Sequence, residues 1–141
     1  MANLPDALRV AVFATATGTQ AKAMLELERL LLEHGKVQLV RFERTEPFLE
    51  FMQDLVSLPP HFVLIASNGD GLACLEQLRG LETGRTLPAV MLASDWTAPM
   101  LQRASQHNAT SCVSVPADPS LRLEVFTALV TYWCTINEPV N

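Results

Sequence analysis

The sequence predicts an α/β protein, a doubly wound (βα)5 sandwich built on one parallel five-stranded sheet of order 2-1-3-4-5. Three observations carry this expectation. Short, nearly continuous apolar runs recur five times, as strands buried on both faces require. Each run is followed by a segment whose apolar residues keep a helical period. No linker, repeat or low-complexity stretch interrupts the 141 residues, a length suited to one domain. Strands joined by helices pair in parallel through right-handed crossovers.

The elements follow in order. Arg9–Ala14 (RVAVFA) reads as the first strand. Thr15–Thr19 is a loop with Gly18, and Thr19 is placed to cap a helix over Gln20–His34, with Gly35 at its end. Val37–Phe42 is the second strand. Thr45, Pro47 and the stripe Phe48, Phe51, Met52, Leu55 mark a second helix, broken by Pro59-Pro60. His61–Ala66 is the third strand, and the loop 67–71 leads to a helix with Leu72, Leu75 and Leu78 facing inward, Asp70 capping it and Gly80 near its end. Leu87–Ala93 is the fourth strand. Asp95 or Thr97 opens a helix over Ala98–Gln106. Cys112–Val115 is the fifth strand, and Asp118-Pro119 is an N-cap with proline in the first turn of a last helix reaching about Trp133. The expected domain is 1–141, with a core of about 9–133 and a short tail, 134–141.

Composition narrows the functions. Fifteen acids against ten bases give a net charge of −5, which argues against a nucleic-acid or acidic-membrane surface. No apolar run approaches the roughly 18–20 residues that span a bilayer, and the first residues lack the pattern of a signal peptide. Cys74, Cys112 and Cys134 are far apart, and with His34, His61 and His107 they form no zinc spacing. The expectation is a cytoplasmic protein with free thiols, no metal and no membrane. The acids include only five aspartates, Asp6, Asp54, Asp70, Asp95 and Asp118, and the bases only two lysines, Lys22 and Lys36.

Ligands of an open parallel sheet collect at the carboxyl ends of its strands, near the switch point between strands one and three. There the chain resembles a family. Asp70–Arg79 (DGLACLEQLR) is similar to the "DGLELLRRLR" of bacterial two-component receiver domains, and Leu87–Ser94 (LPAVMLAS) to their "LPVVMLTA". Asn108-Ala109 with Cys112–Pro116 (CVSVP) stands where receivers carry "GA…YLVKP", and the closing Tyr132–Pro139 is similar to the tails of some single-domain receivers. The resemblance runs from Arg9 to about Trp133 and implies a flavodoxin-like fold and a role in phosphorelay signalling.

Receivers bind Mg²⁺ with two acids after strand one and an aspartate ending strand three, which takes the phosphoryl group. A hydroxyl ending strand four and a lysine ending strand five hold the phosphoryl oxygens. Carried over, the acidic pair falls on Ala14 and Thr15, the phosphoacceptor on Ala66, the hydroxyl on Ala93 and the lysine on Val115. A shift of register does not help, because no Asp or Glu occurs from Val10 to Met24 or from Phe62 to Gly69. The resemblance therefore implies a degenerate pseudo-receiver that is not an enzyme, holds no cofactor and acts through protein contacts.

A second reading rests on Phe13–Gln20, which resembles the flavodoxin phosphate loop "T-x-T-G-N-T". Thr15, Thr17, Gly18 and Thr19 would hold a phosphate at a helix N-terminus, and Trp96 would offer its face to FMN. The plain alternative for that loop is a polar turn. The expected partners are signalling proteins, contacted through Trp96, Tyr132 or Trp133, and a second copy of the chain joined through helix four, strand five and helix five. Packing at the edge of the fold is the competing role for each of these aromatics, and a strand-edge role is expected for His61.

Overall fold

The computed structural model describes residues 7–14, 19–54, 59–66 and 70–136. Strands and helices alternate as β1 (Leu8–Phe13), α1 (Thr19–His34), β2 (Val37–Phe42), α2 (Thr45–Gln53), β3 (Phe62–Ala66), α3 (Gly71–Arg79), β4 (Ala89–Ala93), α4 (Ala98–Gln106), β5 (Ser111–Ser114) and α5 (Pro119–Thr131). The sheet order is β2-β1-β3-β4-β5, and every pair is parallel. The expected class and strand order are therefore the observed ones. Among the described residues no helix is long and apolar enough to cross a membrane.

The period of two along each strand divides the interior into two cores. Val10, Val12, Leu64 and Leu92 point to the side of α1 and α5, where Met24, Leu27, Leu31, Phe126 and Leu129 cover them. Ala11, Phe13, Val63, Ile65 and Met91 point to the other side, under Phe48, Leu72, Leu75, Leu78 and Ala104. The three central strands are buried on both faces, which explains their unbroken apolar composition.

The helix starts show which local signals act. Thr97 accepts a hydrogen bond from the Met100 amide at 3.3 Å, and the Asp118 carboxylate accepts one from the Leu121 amide at 3.0 Å. Both helices have proline in the first turn, where its missing N–H costs nothing. Asp70 departs from the expectation. It precedes α3, but at φ −85° and ψ 4° its side chain makes no capping bond, and only its carbonyl is used, by the Cys74 amide at 2.8 Å. An extended backbone at the cap, as Thr97 and Asp118 have, is what turns the side chain back onto the first turn.

Two further features go beyond what the sequence predicts. The last helix continues past Thr131 as a π turn, Tyr132–Ile136, because Trp133 is seated in the first core with its ring 4.9 Å from that of Phe62. The second is Arg79, whose guanidinium joins α3 to the segments before β4 and after α4. Its Nε donates to the His107 carbonyl at 2.9 Å, one Nη to Gly84 and Leu87 at 2.7 and 2.6 Å, and the other Nη to Asn108 at 2.8 Å. Asn108 has φ 56°, a left-handed conformation that asparagine tolerates better than most residues.

Candidate functional site

The carboxyl ends of β1, β3 and β4 and the residue following β5 come together at one end of the sheet, carrying four buried side chains. These are Ala14, Ala66, Ala93 and Val115, with exposures of 1%, 2%, 3% and 6%. Register explains the convergence: Phe13 pairs with Ile65, Ala66 with Leu92 and Ala93 with Ser114. The backbone ladder runs one residue beyond the strands, with the Ala14 amide donating to Phe42 at 3.0 Å and the Val115 amide to Ala93 at 2.9 Å. The sequence places these four residues at one end of the sheet, and the structure brings them there, buried.

Gly71 closes the base of this region. A Cβ at that position would lie 2.0 Å from the Ala66 carbonyl oxygen, so α3 begins directly against the end of β3. The chemistry of the four side chains is simple: three methyl groups and an isopropyl group offer no lone pair and no charge. A divalent cation of the hard, oxygen-seeking kind needs convergent carboxylates or carbonyls, and these side chains do not fit one. Among the described residues no group of three or more His, Cys, Asp and Glu is placed to hold a metal. Asp70 stands at the rim, exposed.

Gln20, which the sequence reading names only as the end of the Phe13–Gln20 loop and the start of the next helix, makes a bond that reading does not foresee. It lies in the first turn of α1, half-buried, and its Nε2 donates to the Leu92 carbonyl at 2.9 Å. Because β3 lies between β1 and β4, this side chain spans the carboxyl end of β3 to reach its acceptor. The one hint in the sequence is a long amide side chain among small residues at the start of α1.

The remaining candidates are distributed around the fold. Trp96 is half-buried: its Nε1 donates to the Val113 carbonyl at 3.0 Å, and its ring packs on the second core with Met100, Ala109 and Cys112. Trp133 is buried against Phe62, while Tyr132 leans edge-on against Trp133 at 5.6 Å and is half-exposed. Leu101 on α4 and Leu121 and Leu123 on α5 are also exposed. Thr15, Thr17, Gly18 and the side chain of Thr19 lie outside the described residues. At the opposite end of the sheet, His61 accepts a hydrogen bond from the Arg9 amide through Nδ1 at 2.9 Å, the strand-edge role expected of it.

Several groups are chemically perturbed without forming a site. Burial pushes the Cys74 thiol up to about 12 and also raises Cys112 and Cys134, so the thiolate nucleophile is suppressed in all three. Glu28 on α1 is buried beside Arg41 of β2 at 3.2 Å. Desolvation raises its pKa more than the arginine lowers it. The pair lacks good hydrogen-bond geometry, leaving Glu28 Oε2 and Arg41 Nε without hydrogen-bond partners.

Known proteins place this architecture. No family model matches the sequence, and no curated protein matches it either. Solved structures do match. The phosphorylated cyanobacterial phytochrome response regulator RcpA superposes with a TM-score of 0.80 at 12% identity, covering 96% of this chain and 99% of its own. A response regulator in red light signalling of R. palustris gives 0.73 at 18% identity, covering 95% and 99%. A response regulator receiver domain from Rhodospirillum rubrum gives 0.75 at 16%, covering 92% and 96%. The chain thus has the receiver fold over nearly its whole length.

Proposed function

We propose that this protein is a receiver-like module of bacterial two-component or phosphorelay signalling that works through protein–protein contact without aspartyl phosphorylation. One observation carries the reading: Ala66 ends β3 at the place the receiver resemblance assigns to the phosphoacceptor. Phosphoryl transfer to a side chain requires a nucleophilic oxygen, and stabilising the transferred group requires fixed positive charge. The buried methyl of Ala66 and the isopropyl group of Val115 supply neither. Metal affinity and phosphoryl affinity are lost together, which removes the usual switch but leaves the scaffold and its surfaces. The module then carries information by what it binds, in the cytoplasm where such systems operate.

The surfaces that fit this role lie on α4, β5 and α5, where Leu101 on α4 and Leu121 on α5 are exposed, with Tyr132 in the turn that follows α5. Half-exposed aromatic and apolar side chains of this kind suit a signalling partner or a second copy of the chain. Trp96 borders that face through its bond to Val113. Trp133 does not contribute, since its ring is packed into the core. The FMN alternative rests on Thr15, Thr17, Gly18 and the side chain of Thr19, which lie outside the described residues.

The test is incubation with acetyl phosphate or beryllofluoride in the presence of Mg²⁺. The expected result is no phosphoryl adduct by intact mass and no saturable change in Trp96 fluorescence. An adduct, or a saturable change centred on the Ala66 rim, overturns the reading.

A further inference from the structure

We propose that Gln20 is a latch that holds the carboxyl end of the sheet in one fixed conformation. The inference rests on the pseudo-receiver reading and extends it, by naming what holds that site closed. The side chains of Ala14, Ala66, Ala93 and Val115 fit no cation, yet one polar side chain still reaches across the end of β3. The Gln20 carboxamide runs from the first turn of α1 to the Leu92 carbonyl, across the end of β3. Ala66 belongs to the same core as α1 and Leu92, so its small side chain leaves that path open. A longer side chain at position 66 would compete with the carboxamide for the same space.

The bond reaches further than its two residues. Leu92 is followed by Ala93, whose carbonyl accepts from the Val115 amide at 2.9 Å, the link that continues β5 past its last strand residue. Three residues beyond Ala93, the Trp96 indole donates to Val113 of β5. The start of α1, the end of β4, the segment leading into α4 and the end of β5 therefore form one connected series of hydrogen bonds. A neutral amide built into the chain ties these elements together permanently. A bound ion or a covalent group would do so only while present. The α4–β5 face is thereby held in a single arrangement.

Amide exchange followed by NMR tests this, on the full chain carrying Gln20→Met, which keeps the length of the side chain but removes the donor. The expected result is exchange about tenfold faster at the Val115 amide and the Trp96 indole N–H, on the order of one lost hydrogen bond. The Leu8 amide, bonded to Lys36 in the β1–β2 half of the sheet, is expected to keep its wild-type rate. Gln20→Asn, which keeps the chemistry but falls short of Leu92, is expected to behave as Gln20→Met does, and serves if the methionine variant folds poorly. Wild-type exchange at Val115 and Trp96 in the variants overturns the latch. An equal acceleration at Leu8 overturns it too, because that reports a general loss of stability. Either failure leaves the pseudo-receiver reading intact if acetyl phosphate still gives no adduct, whereas an adduct removes that reading whatever the exchange rates show.

Discussion

Replacing Arg79 with methionine removes a cation that donates to four backbone carbonyls while roughly preserving the volume of its stem. The carbonyls of His107 and Asn108 lie in partly exposed turns, where water replaces the lost donor at small cost. Gly84 and Leu87 are buried, and each is left without its guanidinium partner. A buried acceptor deprived of a charged donor costs about 1–3 kcal/mol. Two such acceptors, together with the lost order of the turn at Asn108, give a loss of about 3–5 kcal/mol. Burial already lowers the guanidinium's pKa below its ordinary value, which shows that desolvation offsets part of the gain, so the lower end of that range is favoured. For a chain of this size the loss corresponds to a fall in Tm of about 10–20 °C. Urea unfolding followed by circular dichroism measures it directly. Arg79→Lys is the discriminating variant, since one ammonium cannot reach carbonyls arranged around a planar fork. It is expected to lose most of the same stability. A loss below about 1 kcal/mol in Arg79→Met, or wild-type stability in Arg79→Lys, refutes the reasoning.

Further outcomes follow from the same structure. Gly71→Ala is expected to destabilise by about 2 kcal/mol or more, because its Cβ would meet the Ala66 carbonyl. Intrinsic helix propensity alone predicts a gain of about 1 kcal/mol, so the sign of the change in a thermal melt decides between the two effects. Glu28→Gln is expected to be at least as stable as wild type at neutral pH, because the folded state raises the pKa of this carboxyl. An acid whose folded pKa is raised costs stability when ionised, and that cost fades as pH falls through the raised value toward the ordinary one. The advantage of the glutamine variant should therefore shrink on acidification, and a growing advantage would contradict the assignment. Cys74, buried and with its thiol near 12, is expected to resist alkylation in the native protein at about pH 8, with Cys112 and Cys134 reacting first. Peptide mapping after a timed exposure to iodoacetamide checks the order.

The fold is legible in the sequence because its signals are local and repeated. The three central strands are buried on both faces and must be apolar on both, so Phe62–Ala66 and Ala89–Ala93 stand out without any knowledge of their neighbours. The caps at Thr97 and Asp118 are legible because each is reinforced by a proline, two residues later in the first case and one in the second. Asp70 misleads because residue type alone does not set the backbone angles that bring a carboxylate onto the first turn. The positions of Ala14, Ala66, Ala93 and Val115 follow from the ends of the strands, and the expected strand ends lie within one or two residues of the observed ones. Gln20 and Arg79 are not legible. Their acceptors lie 72 residues away in the first case and up to 29 in the second, and nothing in a local window shows that an arginine or a glutamine will bond to distant carbonyls. The π turn is hidden for a similar reason, since Trp133 is held by Phe62 on a strand half the chain away.

The apolar floor at Ala66 also bears on time. A module that is switched by a labile covalent group carries a clock, set by how fast that group is hydrolysed. Methyl groups at the end of a parallel sheet have no such lifetime, so on the proposed reading the molecule does not forget a stimulus, because it never records one chemically. On that same reading its message is set by what it binds and by how many copies are present, not by the age of a chemical mark.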